Sequence, residues 1–262
     1  MMNNQLIIIG GGPSIQLGIE QGLKDKIKWL FTLGTNYSYR HFPSTALTFC
    51  DSDFYEIGSS TFTGEEVLIH RQALKRQPLI IGPMYNRPAK LDNTILVPGR
   101  GKHSRDISIG VYTPWLCGAF ALTLGIAIMK DIPNSEIYLI GFDFGEMRKE
   151  RYEEEINEFT RRKISKLDKD GEYVTHFYDD IKHTGTGKIS HFNQKDKARK
   201  VFGPYKEEKE VKIYNVCPTS KIPSDIFDKI DYKEFFKRLI NPISSQEELR
   251  KGIEICLKRA GF

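Results

Sequence analysis

The chain has little cysteine, four residues in 262, and Cys50, Cys117, Cys217 and Cys256 nowhere form a C-x-x-C pair. That spacing argues against a structural zinc site or a redox motif and predicts buried thiols in a reducing compartment. A long apolar run is also missing. The longest, Pro114 to Met129, covers sixteen positions and is broken by Gly118, Thr123 and Gly125. This is short for a bilayer crossing, so a buried central helix is expected and no transmembrane segment. The start, with Asn3, Asn4 and Gln5 before a short apolar run, lacks the basic and long apolar parts of a signal peptide, and a cytoplasmic location is the expectation. Internal repeats and low-complexity tracts are lacking too. The net charge of +5 is not spread evenly: Lys182 to Lys206 holds seven Lys or Arg against one Asp, a local +6 that leaves −1 elsewhere. A general nucleic-acid-coating surface is thereby excluded, and the basic segment is expected to close over an anionic ligand.

What is present begins at the first apolar run. Leu6, Ile7, Ile8 and Ile9 lead into Gly10, Gly11, Gly12, Pro13 and Ser14. This reads as a buried strand followed by a turn whose N–H groups can approach a phosphate without a Cβ in the way, with Pro13 at the first position of a helix.

Short apolar runs then alternate with turn signals and helical stretches, the pattern of a mostly parallel sheet covered on both faces. Strands are predicted at Leu6 to Ile9, Trp29 to Leu33, Ala46 to Phe49, Glu66 to His70, Pro78 to Ile81, Thr94 to Val97, Ile137 to Ile140 and Val211 to Val216. Ser245-Gln246-Glu247-Glu248 has capping-box spacing and opens a terminal amphipathic helix. Residues 146 to 170 break the rhythm: sixteen of twenty-five are charged, eight of each sign. The expected organisation is a single doubly wound α/β domain, Rossmann-like, built from 1–145 and 192–262. Residues 146–191 form an inserted charged lid.

Ligands of open parallel sheets bind beyond the carboxyl ends of the strands. The polar residues expected there are Gly11, Gly12 and Ser14 after the first strand, Asn36 after the second, Asp51 and Asp53 after the third, and Asp143 after the strand ending at Ile140. Thr113 and Pro114 read as N-cap and first residue of the apolar helix, a second helix start able to hold an anion. Asp51-Ser52-Asp53 could ligate a divalent metal or form an Asx-turn. Among His41, His70, His103, His176, His183 and His191, the last closes the lid and opens the basic segment, where an imidazole could serve as general base.

Three common motifs are incomplete. The third glycine of G-x-G-x-x-G is replaced by Ile15, and no acidic ribose anchor follows the second strand. Gly185-Thr186-Gly187-Lys188 lacks both the first glycine and the Ser/Thr of a phosphate-binding loop, and no serine sits in a G-x-S-x-G elbow.

In order, GGGPS at 10–14, Asn36, TPWLCGAFALTLG at 113–125, IYLIGFDF at 137–144, His191 and IYNVCPTS at 213–220 resemble the bacterial lipooligosaccharide sialyltransferases. They also resemble a wider G-x-G-P-S superfamily that includes motility-associated flagellin glycosylation factors and archaeal 6-hydroxymethylpterin diphosphokinases. The resemblance implies one nucleotide-binding α/β domain with a lid, and metal-independent glycosyl transfer from a nucleotide sugar, CMP-linked by preference, to an acceptor hydroxyl. Gly10, Gly11, Gly12, Ser14, Asn36, Asp51, Thr113 and Asp143 would then contact the donor, and His191 would be the base. In this chain Gly11 and Asp51 stand where the sialyltransferases carry asparagine, and Gly145 replaces a tyrosine. No cofactor is required in this reading, with Mg or Mn compatible through Asp51 and Asp53, and a homo-oligomer is compatible with it. The alternatives are an Mg-dependent pterin-type diphosphokinase, with Asp51, Asp53 and Asp143 on the metal, and a nucleotide-binding module without catalysis.

Overall fold

A computed structural model describes residues 4–50, 64–83, 93–100, 105–106, 110–112, 116–144, 147–148, 173–174 and 195–239, with single positions 251, 254 and 258. Strand β1 (Gln5–Ile9) leads through α1 (Ile15–Glu20) and α2 (Leu23–Ile27) to β2 (Phe31–Thr35). A 3-10 turn over Asn36–Arg40 precedes β3 (Ala46–Thr48), and α3 (Gly64–Lys75) precedes β4 (Ile80–Pro83) and β5 (Thr94–Val97). Three short strands follow, β6 (Gly99–Arg100), β7 (Arg105–Asp106) and β8 (Gly110–Tyr112), and then helix α4 (Cys117–Met129) and β9 (Glu136–Ile140). The chain continues through β10 (Met147–Arg148), β11 (Tyr173–Val174), α5 (Lys195–Phe202), β12 (Lys212–Asn215), β13 (Asp228–Lys229) and α6 (Tyr232–Arg238).

Eight strands form one sheet in the order β13-β12-β9-β1-β2-β3-β4-β5, and every pairing in it is parallel. The architecture is therefore α/β and Rossmann-like, as the alternation of apolar runs implies. From β1 the chain works outward through β2 to β5, then returns by α4 to place β9 on the other side of β1. The order reverses between β1 and β9. In open parallel sheets the crevice beside such a reversal is where ligands collect.

Burial on both faces explains why Leu6 to Ile9 of β1 form an unbroken apolar run. Leu6 and Ile8 face one core with Leu33, Phe120, Leu124, Ile137 and Leu139, whereas Ile7 and Ile9 face the other with Leu23, Tyr138, Ile140 and Phe235. The side chains of Leu6, Ile7, Ile8 and Ile9 are fully buried, each contributing about 1.5–3 kcal/mol relative to exposure, so a polar residue at any of these four would break the centre of the sheet. Helix α4 is buried from Ala119 through Met129, which explains its lack of a polar face. Its one hydroxyl is satisfied internally, since Thr123 Oγ1 donates to Ala119 O at 3.0 Å and pairs with Tyr205 Oη at 2.5 Å. Among the described residues no helix is long and apolar enough to cross a membrane.

Two sequence expectations change. Glu66 to His70, predicted as a strand, lies in α3. Parallel β3 and β4 require a crossover between them, and the helical spacing puts His70 and Leu74 inward while Leu68 and Ile69 are exposed. The apolar helix begins at Cys117, not at Pro114, with Leu116 as an extended N-cap that makes no side-chain capping bond. Of the lid 146–191, only the antiparallel pair β10 and β11 belongs to the described residues. The terminal helix is represented by Lys251, Glu254 and Lys258, which are helical and exposed.

Candidate functional site

The glycine turn after β1 is fastened to the end of β9. Gly10 N–H donates to Ile140 O at 2.7 Å and Gly12 N–H to Gly141 O at 2.8 Å, continuing the β1–β9 ladder beyond both strands. A Cβ on Gly12 would stand 1.7 Å from Asp143 Oδ2 and 2.5 Å from Gly141 O, so glycine is needed there for close approach of protein to protein. Gly141 itself has φ +71°, a left-handed turn that glycine enters without strain. Two of the N–H groups expected to face a phosphate are thus used inside the fold. The N–H of Gly11, half-buried at the tip, has no hydrogen-bond partner among the described residues. Pro13 precedes the helix instead of opening it, because α1 starts at Ile15 with Ser14 as N-cap. At six residues, α1 offers little macrodipole.

Asp143 is the hub of this arrangement. Its Oδ2 accepts the Ser14 N–H at 3.3 Å, its Oδ1 accepts the Cys217 thiol at 3.0 Å, and its carbonyl accepts Lys221 N–H at 2.7 Å. The strand end after β9 is stitched to the CPTS turn a second time. Asn215 Nδ2 donates to Phe142 O and to Ser220 Oγ, which in turn donates to Phe142 O at 2.7 Å. Asp143 is 7% exposed, and desolvation raises its pKa above the usual carboxylate range despite the Cys217 and Ser14 hydrogen bonds that favour the anion. Burial, and then the neighbouring Asp143, push the Cys217 thiol up to about 12. Tyr232 beneath the turn is raised by burial foremost, with Asp143 and Cys217 adding to it. Among the described residues the Tyr232 hydroxyl is buried without a hydrogen-bond partner. Asp143 clamps the glycine turn, β9 and the CPTS turn together.

Asn36 sits directly after β2 with φ +47°, a left-handed conformation that asparagine tolerates better than most residues. Its Oδ1 accepts the thiol of Cys117, the first residue of α4, at 3.0 Å. Cys117 Sγ accepts the N–H of Cys50 at 3.0 Å. One thiol therefore joins the end of β2, the residues following β3 and the start of the buried helix. Thr35 Oγ1 donates to Ile9 O at 3.0 Å, binding the ends of β1 and β2 to each other.

Gly10, Gly11, Gly12, Ser14, Asn36 and Asp143 are thus gathered at the carboxyl ends of β1, β2 and β9. Asp51, Asp53, Thr113 and His191 lie outside the described residues. Among the described residues no group of three or more His, Cys, Asp or Glu could hold a metal ion. Arg199 and Lys206 of the basic segment are turned to Asp225, at 3.1 and 3.2 Å, and hold its carboxyl below the usual range. Cys117, Cys217 and Tyr232 are the site residues that sequence reasoning missed. Buried thiols were expected, but spacing alone does not show that two of them bond side chains at the strand ends.

The fold and the placement of these residues define a Rossmann-like α/β protein with its candidate site at the carboxyl edge of β1, β2 and β9. Set against family models, curated proteins and solved structures, the chain matches none of them.

Proposed function

We propose that the chain is a transferase that binds an activated nucleotide, a nucleotide sugar by preference and CMP-linked first of all, and passes its glycosyl group to an acceptor hydroxyl. The observation that carries this reading is positional: Gly11 and Asn36 lie on neighbouring strand ends next to the β1–β9 reversal, with the start of α4 beside Asn36. Residues of the ordered GGGPS, Asn36, LCG, GFDF and CPTS segments converge there from distant parts of the chain.

In this reading the donor's phosphate lies near the Gly11 N–H and the first turn of α4. The positive end of that helix would stabilise charge developing on the phosphate as the glycosidic bond breaks. His191 would take the proton of the acceptor hydroxyl, whose oxygen forms the new bond to the sugar while the nucleotide departs with the bonding electron pair. Asp143 acts indirectly, by holding the glycine turn in place. The diphosphokinase reading asks Asp143 to bind a metal, and its buried oxygens, both already engaged, fit that role poorly.

A thermal-shift panel of CMP, CDP, UDP, GDP and ATP, each with and without magnesium, tests the proposal. CMP or CDP should raise the melting temperature without metal, by the equivalent of about 2.7 kcal/mol at a hundredfold excess over Kd. Stabilisation by ATP only in the presence of magnesium would sink it in favour of phosphoryl transfer. Given a donor and acceptor that turn over, His191→Ala should abolish transfer and spare nucleotide binding; undiminished transfer would reject His191 as the base.

A further inference from the structure

The thiol at the start of α4 does more than fill space. A cysteine side chain carries one S–H donor and lone pairs on the same atom, and Cys117 uses both kinds. Sγ accepts the Cys50 N–H at 3.0 Å while the S–H points to Asn36 Oδ1 at 3.0 Å. Turning the carboxamide over would place Nδ2 against a sulfur that already accepts an N–H, and would take from the thiol the acceptor that it now has. The thiol therefore sets which end of the Asn36 side chain is oxygen.

The other end is then fixed as well. Asn36 Nδ2 carries two donors and has no partner among the described residues, although the side chain is half-buried at the carboxyl edge of the sheet. The backbone is committed to the same end, since a non-glycine residue at φ +47° is uncommon and such conformations concentrate at functional positions.

We propose that Cys117 is a positioning residue of the candidate site: its thiol orients the Asn36 carboxamide so that Nδ2 is offered to the ligand, and the site thereby selects a ligand atom that accepts a hydrogen bond. A keto oxygen, an unprotonated ring nitrogen or a phosphate oxygen meets that requirement, whereas a donor group at the same place does not. The inference rests on the reading of this edge as a nucleotide site, but the thiol–amide bond exists without ligand and is testable without it.

Two measurements on the full chain separate these layers. In the ligand-free protein, the Asn36 side-chain amide resonances, identified by their loss in Asn36→Ala, should shift in Cys117→Ala and return toward the wild-type position in Cys117→Ser. Resonances that are the same in wild type and Cys117→Ala overturn the proposal, whatever the protein binds. With CMP as the probe, Cys117→Ala should weaken binding about five- to tenfold, the size of one lost hydrogen bond, and Cys117→Ser should recover most of it. Asn36→Asp, which offers an acceptor in place of the amide, should weaken it further. In an Asn36→Ala background, Cys117→Ala should change CMP affinity less than twofold. An equal loss with and without Asn36 would show a merely structural role for the thiol and refute the proposal. Failure of the wild type to bind any nucleotide of the panel, with the resonance shift present, would overturn the nucleotide reading and leave the positioning role supported.

Discussion

Gly12→Ala is the most direct probe of how the strand ends are held. The added methyl would stand 1.7 Å from Asp143 Oδ2, 2.7 Å from its Cγ and 2.5 Å from Gly141 O. Comfortable separation between non-bonded heavy atoms is about 3.5–4.0 Å, so the carboxylate must retreat by roughly 2 Å. Retreat is not cheap, because Oδ2 holds the Ser14 N–H, Oδ1 holds the Cys217 thiol, and the Asp143 carbonyl holds Lys221. Overpacking typically costs about 1–3 kcal/mol and a buried donor left without its partner about 1–3 kcal/mol, so the sum is about 2–6 kcal/mol before relaxation. At roughly 2–4 °C per kcal/mol for a domain of this size, the melting temperature should fall by about 4–24 °C. Gly203→Ala is the control: its Cβ would meet nothing within 4 Å and its φ is not positive, so neutrality or a gain of about 0.4–1 kcal/mol is expected. Shortening the obstructing side chain with Asp143→Ala should make the additional cost of Gly12→Ala smaller, though not zero, because Gly141 O remains in the way. Thermal melts of the four variants read the result. If Gly12→Ala melts within a degree of wild type, the close packing of the glycine turn on Asp143 is not how the strand ends are held.

The remaining predictions concern the two buried acids beneath the turn. The Asp143 pKa is raised in the fold, so its contribution to stability is fully present below the usual carboxylate pKa and is lost as pH rises through the folded value. Relative to Asp143→Asn, the wild type should therefore lose melting temperature as pH rises from the acid side toward neutrality. A difference between the two that does not change with pH would refute the assignment. Cys217 is 1% exposed and pushed up to about 12, so its thiol stays protonated through the neutral range and its contribution is lost only as pH rises through that value. At pH 8 a thiol-specific disulfide reagent should leave Cys217 unmodified in the native chain and label it on unfolding; rapid native labelling, mapped by peptide mass, would contradict the burial.

Which end of the sheet gathers the candidate residues was legible in the sequence, because an apolar run that ends in glycines, or in asparagine or aspartate, signals a strand end. The loyalties of those residues were not legible. Asp143 reads equally well as a ligand contact and as a clamp, and only the approach of Ser14 and Cys217, distant in sequence, assigns its oxygens. The start of α4 escaped for a related reason: Thr113-Pro114 is a sound local helix start, yet the backbone begins the helix at Cys117, where the thiol meets Asn36 and Cys50. At Glu66 to His70 a short apolar run indicated a strand, but parallel neighbours need a crossover, and the helix that supplies it buries His70 and Leu74.

By itself, then, the sequence determined the α/β class, the buried strands of the parallel sheet and the convergence of polar residues beyond their carboxyl ends. Those features follow from periodicity and from the chemistry of single residues, which are written along the chain. The order β13-β12-β9-β1-β2 and the reversal beside β1 were decided by the tertiary structure. So were the use of the Gly10 and Gly12 N–H groups on β9, the burial of Asp143 and the thiol that orients Asn36. Each depends on which distant segments meet, and a hydrogen bond across eighty residues or more leaves no local period to read.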